Sequence, residues 1–383
     1  MKVDDLFGLF FDKIKEEENK MHTANLMVVG KTGVGKSTLI NSVFREDLAD
    51  TGIGTPVTQH LQRITKAGVP LAIYDTKGFE LDKDIQNAIK KEILNEIDRL
   101  IRINVKENLI HMIWFCVNSL SRRIEDFEIE WIRSFSEKIP VILILTQSVG
   151  SDYKVLEKHV KDLNLPVKSV RSVLARDLEI NDDYSIPAFG LKELVDITFE
   201  CLPEASHAAF INAQKVNIDR KLESANKAVL PFVTAAFVEG FNPLPFADAA
   251  LLVPTQIGML ARLTVIFGIP INKSLLTSII SSVLGTGGAT VIGRTIVSNI
   301  FKFLPAIGSL AGGTISGATA AIITAALGLA YNQVMVSVIR KIYSGNVVTE
   351  KEMVELMKKT FGDQMKKGKD IFKDLGSNLN QQS

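Results

Sequence analysis

At 383 residues the chain is longer than one ordinary domain, so two domains are expected, each long enough to bury a core. Apolar residues make up 46% and charged residues 23%, which excludes a disordered chain, and Lys+Arg 44 against Asp+Glu 43 leaves a net charge of +1, which gives no reason to expect nucleic-acid binding. Two isolated cysteines, Cys116 and Cys201, exclude a disulfide framework and point to a reducing compartment.

The first twenty residues set Leu6, Phe7, Phe10, Phe11 and Ile14 on one helical face opposite Asp4, Asp12, Lys15 and Glu16, which predicts an amphipathic helix over residues 1–20. That face either docks on the second domain or lies on a membrane surface, and the acidic residues opposite it weaken the second reading. The segment lacks the apolar stretch and small-residue cleavage site of a secretory signal, so a cytoplasmic location is expected, with membrane association left open by apolar segments further on.

Short β-like runs follow: Asn25–Gly30, His60–Lys66, Leu71–Asp75, Leu109–Val117, Val141–Thr146 and Val167–Val173. Helical patterns alternate with them at Ser37–Phe44, Lys83–Ile103, Glu125–Glu137, Tyr153–Leu163 and Leu191–Cys201. The alternation predicts a doubly wound, mainly parallel α/β sheet over residues 21–203, with residues 60–75 as an antiparallel hairpin through Gly68. The domain boundary is expected near Pro203. Residues 228–339 are Gly/Ala/Ser-rich and nearly charge-free, which predicts an all-α hydrophobic helical domain over residues 204–383.

Gly30-Lys31-Thr32-Gly33-Val34-Gly35-Lys36-Ser37, followed by Thr38, fits the pattern G-x-x-x-x-G-K-[ST] directly after an apolar strand and directly before a helix. Glycines let the backbone wrap phosphates with its N–H groups, and the following helix presents its positive end to them. Lys36 is expected to neutralise β- and γ-phosphate oxygens, and the Ser37 hydroxyl to ligate Mg²⁺. Asp75-Thr76-Lys77-Gly78 ends the next strand with D-x-x-G, where Asp75 would hold Mg²⁺ through water and the Gly78 N–H would sense a γ-phosphate. Residues 52–58 (GIGTPVT) read as a loop whose threonine closes over Mg²⁺ and the γ-phosphate. Thr58 is preferred to Thr55 because it immediately precedes the strand near His60, although either could be a turn residue.

The series GKTGVGKST, GTPVTQ, DTKGFE and ILTQS resembles the translation-factor-related GTPases, in the Era-like and immunity-related neighbourhood rather than the Ras branch. FNPLPFAD at Phe241–Asp248, LLVPTQIGMLARLTVIFGIP, and FLPAIGSLAGGTISGATAAIITAALGLAYNQVM resemble the helical domain catalogued as domain of unknown function 697, which in bacteria is fused behind such GTPases. The resemblance implies an α/β P-loop GTPase that binds GTP, GDP and Mg²⁺, with Lys36, Thr58 and Gly78 serving hydrolysis and Ser37, Thr58 and Asp75 the metal.

Three positions depart from the family pattern. Where [N/T]-K-x-D should read guanine, the chain has Thr146-Gln147-Ser148-Val149, and Val149 cannot accept the guanine N–H groups. Thr146 and the Gln147 stem could still flank the base, and Leu174 and Ala175 in Val173-Leu174-Ala175 could supply the backbone amide of the last motif. Phe79 stands where Ras-like enzymes orient water with Gln, so slow hydrolysis helped by a partner or a homodimer through this domain is expected. Gly33 stands where potassium-activated relatives carry Asn, which argues against potassium assistance. Arg122 and Arg123 could act as a finger in such a dimer, against the plainer reading of solvated charge, and Cys116 in its apolar run reads as core.

Two stretches raise the mean hydropathy to +0.18. Ser274–Gly293 has 20 residues without a charge and Phe303–Ile339 has 37, each long enough to cross a bilayer as a helix. Eleven of the first 20 residues are Ser, Thr or Gly, and the small pairs Gly308/Gly312 and Gly313/Gly317 favour close helix packing, so a shielded helical domain is preferred to a transmembrane hairpin. Residues Thr349–Leu375 predict an amphipathic helix with Met353, Leu356, Met357, Phe361 and Met365 on one face, a cover for those helices or a contact surface for partners.

Overall fold

A computed structural model describes residues 3–45, 47–76, 83–240, 247–269, 317–346 and 349–380. The chain forms two compact units, Met21–Asn217, and Met1–Lys20 together with Ile218–Ser383.

In the first unit, β1 (Ala24–Val29), β2 (Ile53–Pro56), β3 (Leu61–Lys66), β4 (Val69–Thr76), β5 (Met112–Asn118), β6 (Val141–Thr146) and β7 (Ser169–Ser172) form one sheet in the order β2-β3-β4-β1-β5-β6-β7. β1 pairs in parallel with β4 and β5, β5 with β6, and β6 with β7, while β3 runs antiparallel to both β2 and β4. Successive side chains of a strand face opposite sides of a sheet, so a strand covered on both faces must be apolar throughout. All six residues of β1 are buried. Leu26, Val28, Trp114 and Cys116 enter one core with Leu39, Ile40 and Val43 of α2 (Lys36–Val43), while Met27, Val29, Phe115 and Val117 enter the other. That second core is closed by Ile89, Ile93 and Ile97 of α4 (Lys83–Ile103) and by Trp131, Ile132 and Phe135 of α5 (Asp126–Ser136).

The doubly wound sheet, the hairpin through Gly68 (φ +75°) and the helical unit agree with the sequence reading. Three features differ. Residues 52–58 do not form a free loop: α3 (Leu48–Thr51) leads into β2, an edge strand in which Thr55 pairs with Arg63. A two-stranded ribbon, β8 (Leu178–Asn181) with β9 (Tyr184–Ile186), stands before α7 (Leu191–Cys201). The division near Pro203 is displaced to Asn217, because α8 (Glu204–Ala213) buries Ala209, Phe210 and Ala213 in the core that holds Trp114, with Phe44 stacked on Trp114 at 5.6 Å. Between β6 and β7 lies α6 (Asp152–Asp162).

The second unit packs α1 (Val3–Asn19), α9 (Ile218–Glu239), α10 (Ala247–Phe267), α11 (Gly317–Tyr343) and α12 (Glu350–Asn380) around one core. Phe10 of α1 is fully buried in that core, with Phe11 and Ile14 packed against it, so residues 1–20 are part of this unit rather than a separate element. Met353, Met357, Phe361 and Met365 of α12 are buried there and Leu356 packs against them. The helices approach closely: a Cβ on Gly240 would lie 2.7 Å from Gly317 Cα, and one on Gly328 would lie 2.8 Å from a Val229 methyl. Helix α11 is long and apolar enough to cross a membrane, and 72% of its most apolar window is buried within the protein. Ser274–Gly293, Gly308, Gly312 and Gly313 lie outside the described residues.

Candidate functional site

The carboxyl ends of the parallel strands β1, β4, β5 and β6 carry the motif residues to one edge of the sheet, where ligands bind in open α/β folds. Gly30 ends β1 beside β5. A Cβ there would lie 2.6 Å from the Cys116 carbonyl oxygen, so only glycine permits this approach of the two strands. Gly35 has φ +94° and opens α2 from the left-handed region that disfavours side chains. Val34 is buried in the core below, while Thr32 and Gly33 are exposed. Lys31 is drawn aside by Glu125, at 2.7 Å, and lies 4.9 Å over the Phe127 ring.

Lys36 is buried, and its Nζ donates to the carbonyls of Gly30 at 2.8 Å and Lys31 at 3.2 Å, spanning its own loop. Burial pushes its ammonium below the ordinary lysine range, opposed by the charge of Asp75. The Asp75 carboxyl is raised by burial, opposed in turn by Lys36 and by a hydrogen bond from Gln62, its partner across β3 and β4. Asp75 Oδ1 is buried and has no hydrogen-bond partner among the described residues. Ser37, the first hydroxyl of α2, is exposed. An unpartnered carboxylate oxygen and a hydroxyl at the phosphate end of the site are hard oxygen donors of the kind that Mg²⁺ takes alongside phosphate, so the residues present fit this ion. Gly78, with Lys77 and Phe79, lies outside the described residues.

Thr58 sits in the turn between β2 and β3, where the N–H groups of Val57 and Thr58 both donate to the Leu61 carbonyl at 2.9 and 3.0 Å. The turn is tied to α4: His60 N–H donates to one Glu92 oxygen at 2.9 Å and His60 Nδ1 lies 2.8 Å from the other. Burial pushes Glu92 up, but its hydrogen bonds with His60 outweigh it and hold the carboxyl below the ordinary glutamate range. The Thr58 hydroxyl itself is buried and has no hydrogen-bond partner among the described residues.

The segment after β6 serves the phosphate loop. Thr146 Oγ1 is buried 2.6 Å from the Val34 carbonyl and 3.1 Å from that of Val117, and Gln147 Nε2 donates to the Gly33 carbonyl at 2.9 Å. Gln147 adopts φ +53° to do so. The Ser148 hydroxyl is 2.8 Å from that of Ser119 and donates to the Leu145 carbonyl, so it is spent inside the core. A pocket of about 270 Å³ opens beside the loop, lined by Gly35, Thr38, Gln147, Val149, Ala175 and Asp177 among others.

Of the two amides expected to meet the base, that of Leu174 is spent: Leu174 N–H donates to the Phe189 carbonyl at 3.1 Å, and Phe189 N–H returns the bond at 3.0 Å. Ala175 remains. Arg176 reaches back to the Thr38 hydroxyl at 3.3 Å. Arg122 pairs with Asp152 at 2.5 Å and Arg123 with Glu125 at 3.6 Å. Cys116 is fully buried and its thiol is pushed up to about 12 by burial, so it cannot serve as a nucleophile at neutral pH.

Residues 25–147 match the family described as 50S ribosome-binding GTPase. They form a P-loop GTPase domain. Curated relatives of that domain include Septin-4 of Homo sapiens, 27% identical over 145 residues that cover 32% of this chain and 30% of the septin. Septin-1 of Rattus norvegicus is 26% identical over 162 residues, covering 36% of this chain and 44% of that protein. The chain thus spans less than half the length of these relatives. The crystal structure of Cdc11 from Saccharomyces cerevisiae aligns at a TM-score of 0.27 and 22% identity, over 38% of this chain and 65% of that one. The family match ends at Gln147, so the GTPase domain's pocket residues Val149, Ala175 and Asp177 lie beyond it.

Proposed function

We propose that the chain is a guanine-nucleotide switch that hydrolyses GTP slowly with Mg²⁺, its nucleotide state altering the packing of the helical unit and so its contact with a membrane surface or a protein partner. The observation that carries this reading is buried Lys36 beside half-buried Asp75, one buried oxygen of Asp75 lacking a partner among the described residues, at the phosphate end of a P-loop.

Mg²⁺, when bound, neutralises the charge that develops on the β- and γ-phosphate oxygens. Ser37 and Thr58 would ligate it and Asp75 would hold it through water. Lys36 would leave its two carbonyl partners for phosphate oxygens, the loop N–H groups from Gly30 to Thr38 would orient them, and Gly78 would donate to the γ-phosphate. Phe79 has no group to orient water, so turnover is slow and rises where a partner or a second copy completes the site. The Era-like and immunity-related resemblance, and that of residues 241–345 to domain of unknown function 697, belong to this proposal, as does a cytoplasmic, membrane-associated location.

Val149 in the base pocket favours a second reading, a nucleotide-binding scaffold without turnover. Phosphate release from GTP by the full chain separates the two. Slow Mg²⁺-dependent release abolished by Lys36→Ala supports the switch, and tight binding without release at any protein concentration supports the scaffold.

A further inference from the structure

Recognition of guanine requires an acceptor for its adjacent ring N–H and amino group, and at the position where such GTPases place that carboxylate this chain has Val149. The pocket holds one carboxylate among its described lining residues, Asp177. It is placed there by the fold rather than by the motif. Leu174 and Phe189 exchange two backbone hydrogen bonds, which closes the chain between them into a loop carrying the β8–β9 ribbon. Inside that closure Asp177 Oδ1 accepts the Ala188 N–H at 2.7 Å, which fixes the side chain at the pocket wall and leaves its second oxygen without a partner among the described residues.

The other polar side chains of the pocket each make a bond to the protein itself. The Thr146 hydroxyl serves the Val34 and Val117 carbonyls, the Thr38 hydroxyl accepts from Arg176, and the Gln147 amide donates to Gly33. The Ala175 N–H, in the same wall, has no partner among the described residues, and it complements a carbonyl. An N–H donor and a carboxylate lining one pocket suit guanine, which presents O6 beside two N–H groups; adenine presents one amino group and no carbonyl.

Resting on the guanine-nucleotide reading above, we infer that Asp177 reads the base in place of Val149, as the residue that determines specificity for guanine. The Asp177 carboxylate accepts the ring N–H and the amino group, and the Ala175 amide donates to O6. Xanthine carries a carbonyl where guanine carries the amino group, so a carboxylate repels it and a carboxamide accommodates it.

The test is a titration of the full chain with GDP, XDP and ADP in wild type, Asp177→Asn and Lys36→Ala. Asp177→Asn keeps an oxygen for the Ala188 N–H, so its melting temperature without nucleotide is expected to match wild type. Its GDP affinity should fall about tenfold or more, its XDP affinity should rise by a similar factor, and its ADP affinity should stay unchanged. Unchanged GDP and XDP affinities overturn the assignment. So does a parallel loss of GDP and ADP binding, since reading a base must separate the two. Wild type that binds GDP and ADP alike overturns the role of Asp177 while leaving nucleotide binding standing. Lys36→Ala that binds GDP as wild type does overturns the site itself.

Discussion

The Gln147 side chain donates to the Gly33 carbonyl at 2.9 Å, joining residues 114 positions apart in sequence, and beside it Thr146 Oγ1 lies 2.6 Å from the Val34 carbonyl. The phosphate loop is therefore shaped from outside by the strand that leads to the pocket beside it. Thr146→Val strips two buried carbonyls of their hydroxyl and should cost about 1–3 kcal/mol in urea unfolding. Gln147→Ala removes a more exposed bond, so it should weaken nucleotide affinity more than stability. Equal urea midpoints for Thr146→Val and wild type would show that the loop does not depend on this support.

The hydrogen-bonded contact of His60 with Glu92 gives a pH signature. Glu92 titrates below the ordinary glutamate range in the fold, so its contribution to stability is present above about pH 4.3 and is lost as pH falls through the folded value. Glu92→Gln should be less stable than wild type at neutral pH, with the gap closing as the solution is acidified below about pH 4. A gap that is constant with pH in urea titrations would contradict this. Glu92 also anchors the turn that carries Thr58, so the same substitution should weaken triphosphate binding more than diphosphate binding.

Periodicity and motif spacing made most of the GTPase domain legible before its structure. β1 and β6 are buried at all six of their positions and so read as unbroken apolar runs, and α4 spans the predicted Lys83–Ile103. What escaped was exposed or depended on the fold. β2 has four exposed residues including Gly54 and Pro56, which break any alternation. β8 is likewise exposed at all four positions, so no buried face marks it. Thr146 and Leu174 read as site residues in the sequence, but their hydroxyl and amide are spent on the protein's own backbone, a partnership between distant segments that no local pattern encodes. Asp177 reaches the pocket through the closure of Leu174 on Phe189 and carries no motif of its own.

The two thiols should differ in reactivity. Cys116 is fully buried with its thiol pushed up to about 12, whereas Cys201 is partly exposed and raised less. Alkylation of the native protein near pH 8 followed by peptide mapping should find label on Cys201 and none on Cys116 until the chain unfolds. Rapid native labelling of Cys116 would mean that β5 opens locally.

Close backbone packing in the helical unit predicts sensitivity to one methyl group. Gly328→Ala would press a Cβ to 2.8 Å from Val229 and 2.9 Å from Met259, and should destabilise the unit by about 1–3 kcal/mol. Gly362→Ala, with nothing within 4 Å of the new Cβ, is the matched control and should not. Similar melting temperatures for the two variants would contradict the packing of α9 and α10 on α11.

At issue is whether the site from Gly30 to Thr38, with Asp75, binds guanine nucleotide with Mg²⁺. Calorimetric titration of the full chain with GTP, GDP, ATP and ADP, with and without Mg²⁺, tests it most directly. Expected are binding of GTP and GDP in preference to ATP and ADP, a Mg²⁺-dependent gain larger for GTP than for GDP, and loss of that gain in Asp75→Asn and Ser37→Ala. Absence of nucleotide binding, or equal affinity for all four with no effect of Mg²⁺, would contradict it.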